Sequence, residues 1–295
     1  MTISVLMSVY KSEQARFLDD AIQSVWSGQT LRPDEIVLVE DGPLGEQLLE
    51  VIDRWQGIIG MNFVILKNEK NLGLTKSLNR GLAIAKGDLI ARMDSDDISD
   101  PQRFERQVKY LTTHPDIDIV GGSLQEFNET SDCLRIRNYP LTHDEVVKYI
   151  AKACPLAHPT VMMRRKIFDA GLKYNEKYRM SQDIALWFDA IEAGYKIGNV
   201  PEVTIRFRSQ GDVFKRRSRA KAWNEFKIYM GGIYNLYGLF TTKYRYPIAR
   251  LSFRLMPPSV VKLVYGSKLR SNFLEPRKEK ANTSSPMLMA SSYRQ

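Results

Sequence analysis

Short apolar runs alternate with helically spaced segments along the first part of the chain. Four runs have the length and composition of buried strands. They lie at 2–10, 34–43, 62–68 and 87–94. Segments with an apolar residue every three or four positions, which is typical of helices, separate them. These segments lie at 16–27, 48–55 and 73–86. Because strands and helices alternate with short connections, we expect an α/β fold with a Rossmann-like, mostly parallel sheet covered by helices on both faces.

Beyond residue 115 the pattern is less regular. Further strands are predicted at 116–128, 133–140 and 159–165, and helices at 143–153 and 183–193. From residue 214 the chain becomes basic and helical in pattern, with many aromatic residues. The last stretch, 271–295, is polar and rich in Ser and basic residues, and we expect it to be disordered.

Charge is distributed unevenly along the chain. Residues 203–295 contain 19 Lys and Arg against 4 Asp and Glu, whereas the rest of the chain contains 24 against 30. A basic C-terminal region attached to an acidic body indicates an anionic surface as a partner, either a membrane or a nucleic acid.

Targeting signals and the cysteine content indicate in which cellular compartment the protein works. The N-terminus lacks the basic start and long apolar core of a signal peptide, and no stretch approaches the roughly 20 apolar residues of a spanning helix. The two cysteines, Cys133 and Cys154, cannot form a disulfide framework and match no metal-binding spacing, so we expect reduced thiols. These features predict a cytoplasmic protein that can still contact a membrane.

Polar residues stand where three of the predicted strands end. Tyr10, Asp41 and Asp94 each close an apolar run. Ligands of open α/β sheets bind at the carboxyl ends of the strands. We therefore expect these three residues to converge on one edge of the sheet, although they are far apart in sequence.

The segment ARMDSDDISDP, residues 91–101, places four aspartates within seven positions. Like charges this dense repel one another unless a cation or solvent compensates them. Adjacent carboxylates are hard oxygen ligands suited to Mg²⁺ or Mn²⁺, which complete their shell with substrate phosphates and water. We interpret Asp94 and Asp96 as such a site. In the alternative, a solvated loop, Asp97 or Asp100 caps the helix that begins near Pro101, and this reading suits Asp100 best.

An ordered series of motifs extends this interpretation. The segments are SVLMSVY at 4–10, LVEDG at 38–42, NLGL at 71–74, AKGD at 85–88, RMDSDD at 92–97, HPTVMMRR at 158–165 and SQDIALW at 181–187. Together they resemble glycosyltransferase family 2, and within it the enzymes of bacterial surface-polysaccharide synthesis. The resemblance implies a GT-A fold and transfer, with inversion, of a sugar from a nucleotide diphosphate sugar. We expect the donor to be UDP-linked and Mn²⁺ or Mg²⁺ to be the cofactor.

The resemblance extends over about residues 1–210, which we therefore expect to form the nucleotide-sugar-binding and catalytic domain. Residues 211–270 would form a basic helical extension that associates with a membrane, and residues 271–295 a disordered tail.

A donor site is implied by the same resemblance. Its residues would be Ser8, Val9, Tyr10, Glu40, Asp41, Lys76, Asp94, Ser95 and Asp96. The first three would line the nucleotide pocket, and Asp41 would contact the base. In the D-x-D motif, Asp96 would be the direct metal ligand, and Asp94 a second ligand nearer the ribose.

The catalytic base is implied at the start of a helix on the acceptor side. Asp183 occupies that position, and Gln182 replaces the Glu that is frequent before it. Asp183 would take the proton of the acceptor hydroxyl as that oxygen attacks the sugar. Without the resemblance, a helix N-cap is an equally good interpretation of Asp183. Further residues that could contact the acceptor or the diphosphate are His158, Gln182, Trp187 and Arg208, whereas Arg92 is expected to pair with a carboxylate.

Three function classes follow from these observations. The first is a glycosyltransferase that extends a lipid-linked polysaccharide at the inner face of the cytoplasmic membrane. The second, a nucleotidyltransferase acting on sugar phosphates, is disfavoured because no glycine-rich phosphate loop follows the first strand. The third is a non-enzymatic nucleic-acid binder. It is disfavoured because Trp223, Phe226 and Tyr229 have the helical spacing of a packing face, so we expect no nucleic-acid partner.

Residues 246–266 suit a helix that lies in a membrane interface. Arg250 and Arg254 are four positions apart and share one helical face. Apolar residues of the same segment can form another face, namely Ile248, Leu251, Leu255 and Met256. In the alternative interpretation, these helices pack on the catalytic body.

Overall fold

A computed structural model of the chain describes residues 1–209 and 219–256. Its strands are β1 (Ile3–Val9), β2 (Glu35–Glu40), β3 (Phe63–Lys67), β4 (Leu89–Asp94), β5 (Ile98–Ser99), β6 (Ile119–Asn128), β7 (Ser131–Arg137), β8 (Met162–Arg164) and β9 (Ile197–Arg208). Its helices are α1 (Ala15–Val25), α2 (Glu46–Ile59), α3 (Leu74–Leu82), α4 (Arg103–Thr113), α5 (His143–Ile150), α6 (Lys166–Asp169), α7 (Gln182–Glu192), α8 (Arg219–Tyr237) and α9 (Arg245–Leu255). The predicted tail, 271–295, lies outside the described residues.

One sheet runs in the order β3-β2-β1-β4-β8-β6-β9-β5, and β7 pairs with the outer part of β6. The first four strands of this order are parallel neighbours. In their register, Val9 lies opposite Glu40 and Ser8 lies opposite Asp94. The carboxyl ends of β1, β2 and β4 therefore lie side by side, as the apolar runs predicted.

The second half of the sheet is mixed. β8 pairs antiparallel with both β4 and β6, and β6 runs parallel to β9. Most paired positions of the whole sheet still belong to parallel pairs, so the expected fold class is confirmed. Strand β9 was not predicted. Its sequence nevertheless carries a strand signal, because Val203, Ile205 and Phe207 alternate with polar residues.

The predicted strand at 159–165 is shorter than expected. Residues His158–Thr160 form a 3₁₀ turn with Pro159 in its first positions, and only Met162–Arg164 pair in the sheet. Proline lacks the N–H that a ladder needs, which explains why pairing begins beyond it.

Helices cover both faces of the sheet. Val5 and Met7 point into a core with α1, α2 and α4, whereas Leu6 points into a second core with α3, α5, α7 and α8. This division follows from the two-residue period of strand side chains. Since both faces are buried, β1 is apolar along nearly its whole length.

Helix α8 packs along α7 and belongs to the body. The rings of Phe188 and Tyr229 meet edge-on, with centroids 5.7 Å apart. Gly232 lies so close to Phe188 that a Cβ atom at this position would be 2.3 Å from the ring. A compact unit runs from Met1 to Arg254. The expected boundary between residues 210 and 211 lies outside the described residues and stays a prediction.

Helix α9 contacts the body through the two arginines that the sequence placed on one helical face. Arg250 donates to the backbone carbonyl of Lys152, and Arg254 pairs with Glu225 at 2.8 Å. These two arginines therefore contact the body, as the alternative interpretation expected, and contact of the segment with a membrane stays a prediction. Ile248 and Leu255 instead are about half exposed. The rest of the predicted interfacial segment, 257–266, lies outside the described residues.

The aromatic residues of α8 do not form a single packing face. Tyr229 is buried, as expected, whereas Trp223 is 50% exposed and stacks on Phe226.

Among the helices within 1–209 and 219–256, none has the length and apolar character needed to cross a membrane.

Candidate active site

The end of β1 brings the three predicted nucleotide-pocket residues to the edge where β2 and β4 also end. Ser8 is half-buried, Val9 is buried and the Tyr10 ring is 47% exposed. The next strand, β2, ends at Glu40, which is buried and pairs with Lys67 at 3.3 Å. At this edge the Tyr10 ring is accessible to solvent, whereas Val9 and the Glu40 carboxylate are buried.

Asp41 holds the loop that precedes α3. Its carboxylate accepts hydrogen bonds from the backbone amides of Leu72 (2.7 Å) and Gly73 (3.0 Å) and from the Asn68 side chain (3.0 Å). Gly42 beside it has φ +91°, and a Cβ atom there would be 2.6 Å from the backbone nitrogen of residue 71. The NLGL motif is therefore fixed against the end of β2. The predicted contact of Asp41 with the base stays a prediction.

Lys76 lies on α3 with an exposed side chain, so it is accessible from solvent. Its neighbour on the next turn, Arg80, donates to the Asn68 amide oxygen. Of these two basic residues, only Arg80 is thus connected to the loop that Asp41 holds.

Three aspartates form an acidic cluster at the end of β4, whose last residue is Asp94. Carboxylate oxygens of Asp94, Asp96 and Asp97 all lie within 4.8 Å of one another. Asp97 is fully buried: its Oδ1 accepts from the Arg208 amide at 2.9 Å, whereas its Oδ2 has no hydrogen-bond partner. The sequence did not place Asp97 among the metal ligands, and the alternative interpretation offered it or Asp100 as a helix cap. In the structure, Asp100 is the residue that bonds to the Gln102 amide at the start of α4.

Burial and mutual repulsion disfavour the charged forms of this cluster. Burial, followed by the charges of Asp94 and Glu13, raises the pKa of Asp96 to about 6. Burial and the charges of Asp94 and Asp96 raise the pKa of Asp97 well above its ordinary value. A divalent cation would remove this penalty and satisfy the unpaired Asp97 oxygen. The three aspartates therefore fit Mg²⁺ or Mn²⁺, which prefer carboxylate oxygens.

Neighbouring groups fix the backbone of the cluster. The Ser95 hydroxyl donates to Glu13 at 2.8 Å. Arg208 donates from Nε to the Asp96 carbonyl at 2.9 Å and from Nη2 to Asp20 at 3.1 Å. Its guanidinium carbon also lies 4.0 Å from the centre of the Phe17 ring. The structure thus places Arg208 against the backbone of the acidic cluster. The sequence contained no signal for Asp20 as the partner of Arg208 or for Glu13 as the partner of Ser95.

Asp183 lies in the first turn of α7 and is half-buried. The N-cap is Ser181, so the interpretation of Asp183 as the cap of this helix is not supported. Burial is the main cause that raises the pKa of the Asp183 carboxyl, and the Ile184 amide opposes it. A raised pKa brings a carboxylate closer to the range that suits a general base.

Behind Asp183, the predicted acceptor residues His158 and Trp187 are buried. His158 Nε2 lies 2.8 Å from the Tyr174 hydroxyl, and its ring meets the fully buried Trp187 ring edge-on. Burial and the Arg92 charge hold the pKa of His158 well below its usual value, which disfavours the charged imidazolium. Gln182 is also buried. These residues support the site from within the core.

Arg92 connects the acidic cluster with the Asp183 region. It is 2% exposed and pairs with Asp94, as expected. Its charge also lowers the pKa of Asp183, opposing the effect of burial, and acts on Tyr174. A buried cation thus lies within electrostatic range of both acidic groups.

Comparison with known proteins agrees with this geometry. Residues 4–172 match Glycosyl transferase family 2. The chain is 34% identical to the amylovoran biosynthesis glycosyltransferase AmsE of Erwinia amylovora, with 89% of this chain and 97% of that protein aligned. It is 31% identical to the UDP-Gal:alpha-D-GlcNAc-diphosphoundecaprenol beta-1,3-galactosyltransferase of Escherichia coli, with 90% and 96% aligned.

Similarity of fold extends further than similarity of sequence. The crystal structure of S. aureus TarS 1-349 in complex with UDP-GlcNAc superposes with a TM-score of 0.64 at 18% identity, over 92% of this chain and 78% of that one. This likeness confirms the GT-A fold. The sequence match, its length and the order of motifs along the sheet establish that the chain belongs to glycosyltransferase family 2.

Proposed function

We propose that this glycosyltransferase moves a sugar from a UDP-linked donor to a hydroxyl of a lipid-linked, growing polysaccharide, with inversion at the anomeric carbon. One observation carries the proposal. Asp94, Asp96 and Asp97 form an acidic cluster at the sheet edge where β1, β2 and β4 end, and Asp97, which is buried, has an unpaired carboxylate oxygen. A divalent cation would supply the positive charge that this acidic edge lacks. The diphosphate of a nucleotide would complete the cation's ligand shell at the carboxyl ends of the strands.

The donor would lie along this edge. Ser8, Val9 and Tyr10 would line the nucleotide pocket, with the exposed Tyr10 ring offering a flat surface to the base. Asp96 and Asp97, together with Asp94, would hold Mn²⁺ or Mg²⁺. When bound, such an ion stabilises the negative charge that develops on the leaving diphosphate.

The acceptor would be activated by Asp183. A hydroxyl is a poor nucleophile, and a positioned carboxylate that takes its proton assists the attack on the anomeric carbon. Inversion requires the acceptor oxygen to approach from the face opposite the leaving group. Asp183 lies on α7, a different element from the acidic cluster, and the Arg92 charge acts on both Asp183 and Asp94, which supports this division of roles.

The named relatives support the choice of donor and acceptor. One relative at 31% identity is named as a galactosyltransferase that uses UDP-Gal and a diphosphoundecaprenol-linked sugar. S. aureus TarS, which shares the fold, is described in complexes with UDP and with UDP-GlcNAc. A UDP-sugar and a lipid diphosphate-linked saccharide are therefore the substrates to test first.

The decisive experiment is a transfer assay with UDP-Gal, UDP-GlcNAc and UDP-Glc, Mn²⁺ and a synthetic sugar diphosphate-lipid acceptor. We expect release of UDP together with an extended acceptor whose new linkage is β when the donor is α-linked. Release of pyrophosphate from a nucleoside triphosphate and a sugar phosphate, without sugar transfer, would instead support the nucleotidyltransferase alternative.

We also propose that the enzyme works at an anionic membrane surface, where a lipid-linked acceptor resides. Large apolar side chains are exposed near the end of α8 and after it: Leu239 is 63% exposed and Phe240 98%. Ile248 on α9 is 50% exposed. The basic composition of residues 203–295 adds attraction to anionic lipids, about 1 kcal/mol for each basic residue near the surface.

A further inference from the structure

Helix α8 contacts the segment that leads into α7, two residues before Asp183. The Ser181 hydroxyl donates to Glu225 Oε1 at 3.3 Å. The other carboxylate oxygen, Glu225 Oε2, pairs with Arg254 of α9 at 2.8 Å. Glu225 is 7% exposed, so this carboxylate is removed from solvent with both oxygens engaged. A chain of polar contacts therefore runs from α9 through α8 to the start of α7.

The residue at the end of this chain has an unusual backbone. Ser181 has φ 59° and ψ 28°, and it is the one non-glycine residue with positive φ among residues 1–209 and 219–256. A side chain disfavours this left-handed conformation, which persists where the surroundings over-determine it. Neighbouring contacts do so here: Asn224 donates to the Met180 carbonyl at 2.6 Å, and Thr75 donates to the Tyr178 carbonyl at 2.7 Å.

The conformation of Ser181 sets the direction in which α7 begins. Asp183 follows in the first turn, so a change at Ser181 rotates or shifts its carboxylate. A carboxylate acts as a general base only within hydrogen-bond reach of the acceptor hydroxyl, and small misplacements lower the rate strongly. The contacts of Glu225 thus lie where they can control the geometry of the base.

We propose that Glu225 is a positioning residue for Asp183, through which the C-terminal helices α8 and α9 hold the base helix α7 in its productive orientation. The inference rests on the proposed role of Asp183 as the base. It gives the C-terminal helices a task in sugar transfer besides any contact with lipid. Glu225 itself touches neither donor nor acceptor, so its effect should appear in turnover and not in donor binding.

The first test compares Glu225→Ala with the unaltered enzyme. We expect kcat to fall about 10-fold or more, because Ser181 and Arg254 lose their partner and the start of α7 relaxes. The dissociation constant of UDP-sugar with Mn²⁺, measured by calorimetry, should stay within about two-fold, because the acidic cluster is untouched.

A second variant separates charge from geometry. Glu225→Gln keeps an oxygen that can accept from Ser181 but removes the negative charge, which contributes to the raised pKa of Asp183. Without this charge the pKa of Asp183 falls. We therefore expect the acidic side of the kcat–pH profile to move to lower pH, with most of the plateau rate retained. This readout remains available if Glu225→Ala folds poorly.

The matched control is Asn235→Ala. Asn235 also joins α8 to α7, donating to Glu192 at 2.8 Å, but at the opposite end of α7 from Asp183. It should lower the melting temperature without changing kcat or the pH profile. Equal losses of kcat in Glu225→Ala and Asn235→Ala would mean a general loosening of the helix pair and would overturn the inference.

Failure of the inference can be told from failure of the proposed function. If the unaltered enzyme transfers no sugar from any UDP-linked donor, the proposed function is wrong. If Asp183→Asn retains full turnover, Asp183 is not the base and the premise of the inference fails, although sugar transfer itself stands. If Asp183→Asn is inactive while both Glu225 variants keep the normal kcat and pH profile, only the positioning role is refuted.

Discussion

The backbone amide of Arg208 donates a hydrogen bond of 2.9 Å to the carboxylate of Asp97, a residue 111 positions earlier in the chain. This bond fastens the end of β9 to the loop after β4. It occupies one oxygen of Asp97 and leaves the other buried and unpaired, facing the carboxylates of Asp94 and Asp96. The acidic cluster is thus assembled by the sheet and not by the D-x-D motif alone.

Asp96→Ala is expected to abolish metal-dependent donor binding. The substitution removes a carboxylate from the cluster, and the two that remain offer a divalent ion too few protein ligands. Calorimetric titration of UDP-sugar with and without Mn²⁺ measures the effect. Asp100→Asn is the control, because Asp100 lies in the same segment but bonds to the start of α4. Normal Mn²⁺-dependent affinity in Asp96→Ala would contradict the assignment.

Asp183→Asn is expected to leave donor binding nearly unchanged and to lower kcat by at least about 10²-fold, the usual effect of losing a general base. The amide is nearly the same size as the carboxylate but cannot take the proton of the acceptor hydroxyl. Steady-state transfer rates at saturating donor test this. Asp189→Asn, on the same helix, should keep normal turnover. If both variants are equally active, the base must lie elsewhere.

Binding of Mn²⁺ should weaken as the pH falls through about 6, the raised pKa of Asp96. Metal ligands must be deprotonated, so protons compete with the ion. In the metal-free protein, the folded-state pKa lies above the ordinary value of 3.8, so protonation of Asp96 favours folding. This contribution to stability is present at low pH and is lost as the pH rises from about 4 to about 6.

Thermal melting above and below a pH of about 6 provides the measurement. Mn²⁺ should raise the melting temperature clearly at about pH 7.5 and little at about pH 5, because a ligand stabilises in proportion to its binding to the folded state. An equal increase at both pH values would show that the protonation of the cluster does not control metal binding.

Arg208→Lys is expected to weaken Mn²⁺-dependent donor binding by about 10-fold, which corresponds to the loss of one charge-assisted hydrogen bond. Lysine cannot contact the Asp96 carbonyl and the Asp20 carboxylate at the same time, as the guanidinium does. Arg206→Lys is the control, since Arg206 lies on the same strand but pairs with the exposed Asp132. Similar affinities in both variants would argue against the supporting role of Arg208.

The protein should sediment with anionic liposomes at low salt and be released at high salt, as expected for electrostatic attraction combined with apolar contact. Replacing Leu239 and Phe240 together by Ser should reduce this sedimentation without loss of donor binding, because both side chains are exposed. Truncation after Ser209 is a poorer test, because it also removes α8, whose Ile228 and Ile233 are buried in the core. Absence of sedimentation at low salt would reject the membrane proposal.

Several features could be predicted because they depend on local chemistry. Fully buried parallel strands need continuous apolar runs, so β1 to β4 were visible in the sequence, and Asp41 and Asp94 fell at their ends. The dense acidic charge of residues 94–97 likewise signalled a cation, since repulsion between neighbouring carboxylates does not depend on the rest of the fold.

Tertiary structure decided what depends on distant partners. The pairing of β9 with β5 and β6 brings Arg208 to the acidic cluster, and it makes Asp97 a member of that cluster instead of a helix cap. The sequence placed Arg250 and Arg254 on one helical face but left open whether that face meets a membrane or the body. Packing on α8 gave Arg254 a buried carboxylate partner in Glu225, and an ion pair of this kind can form only after the two helices have met.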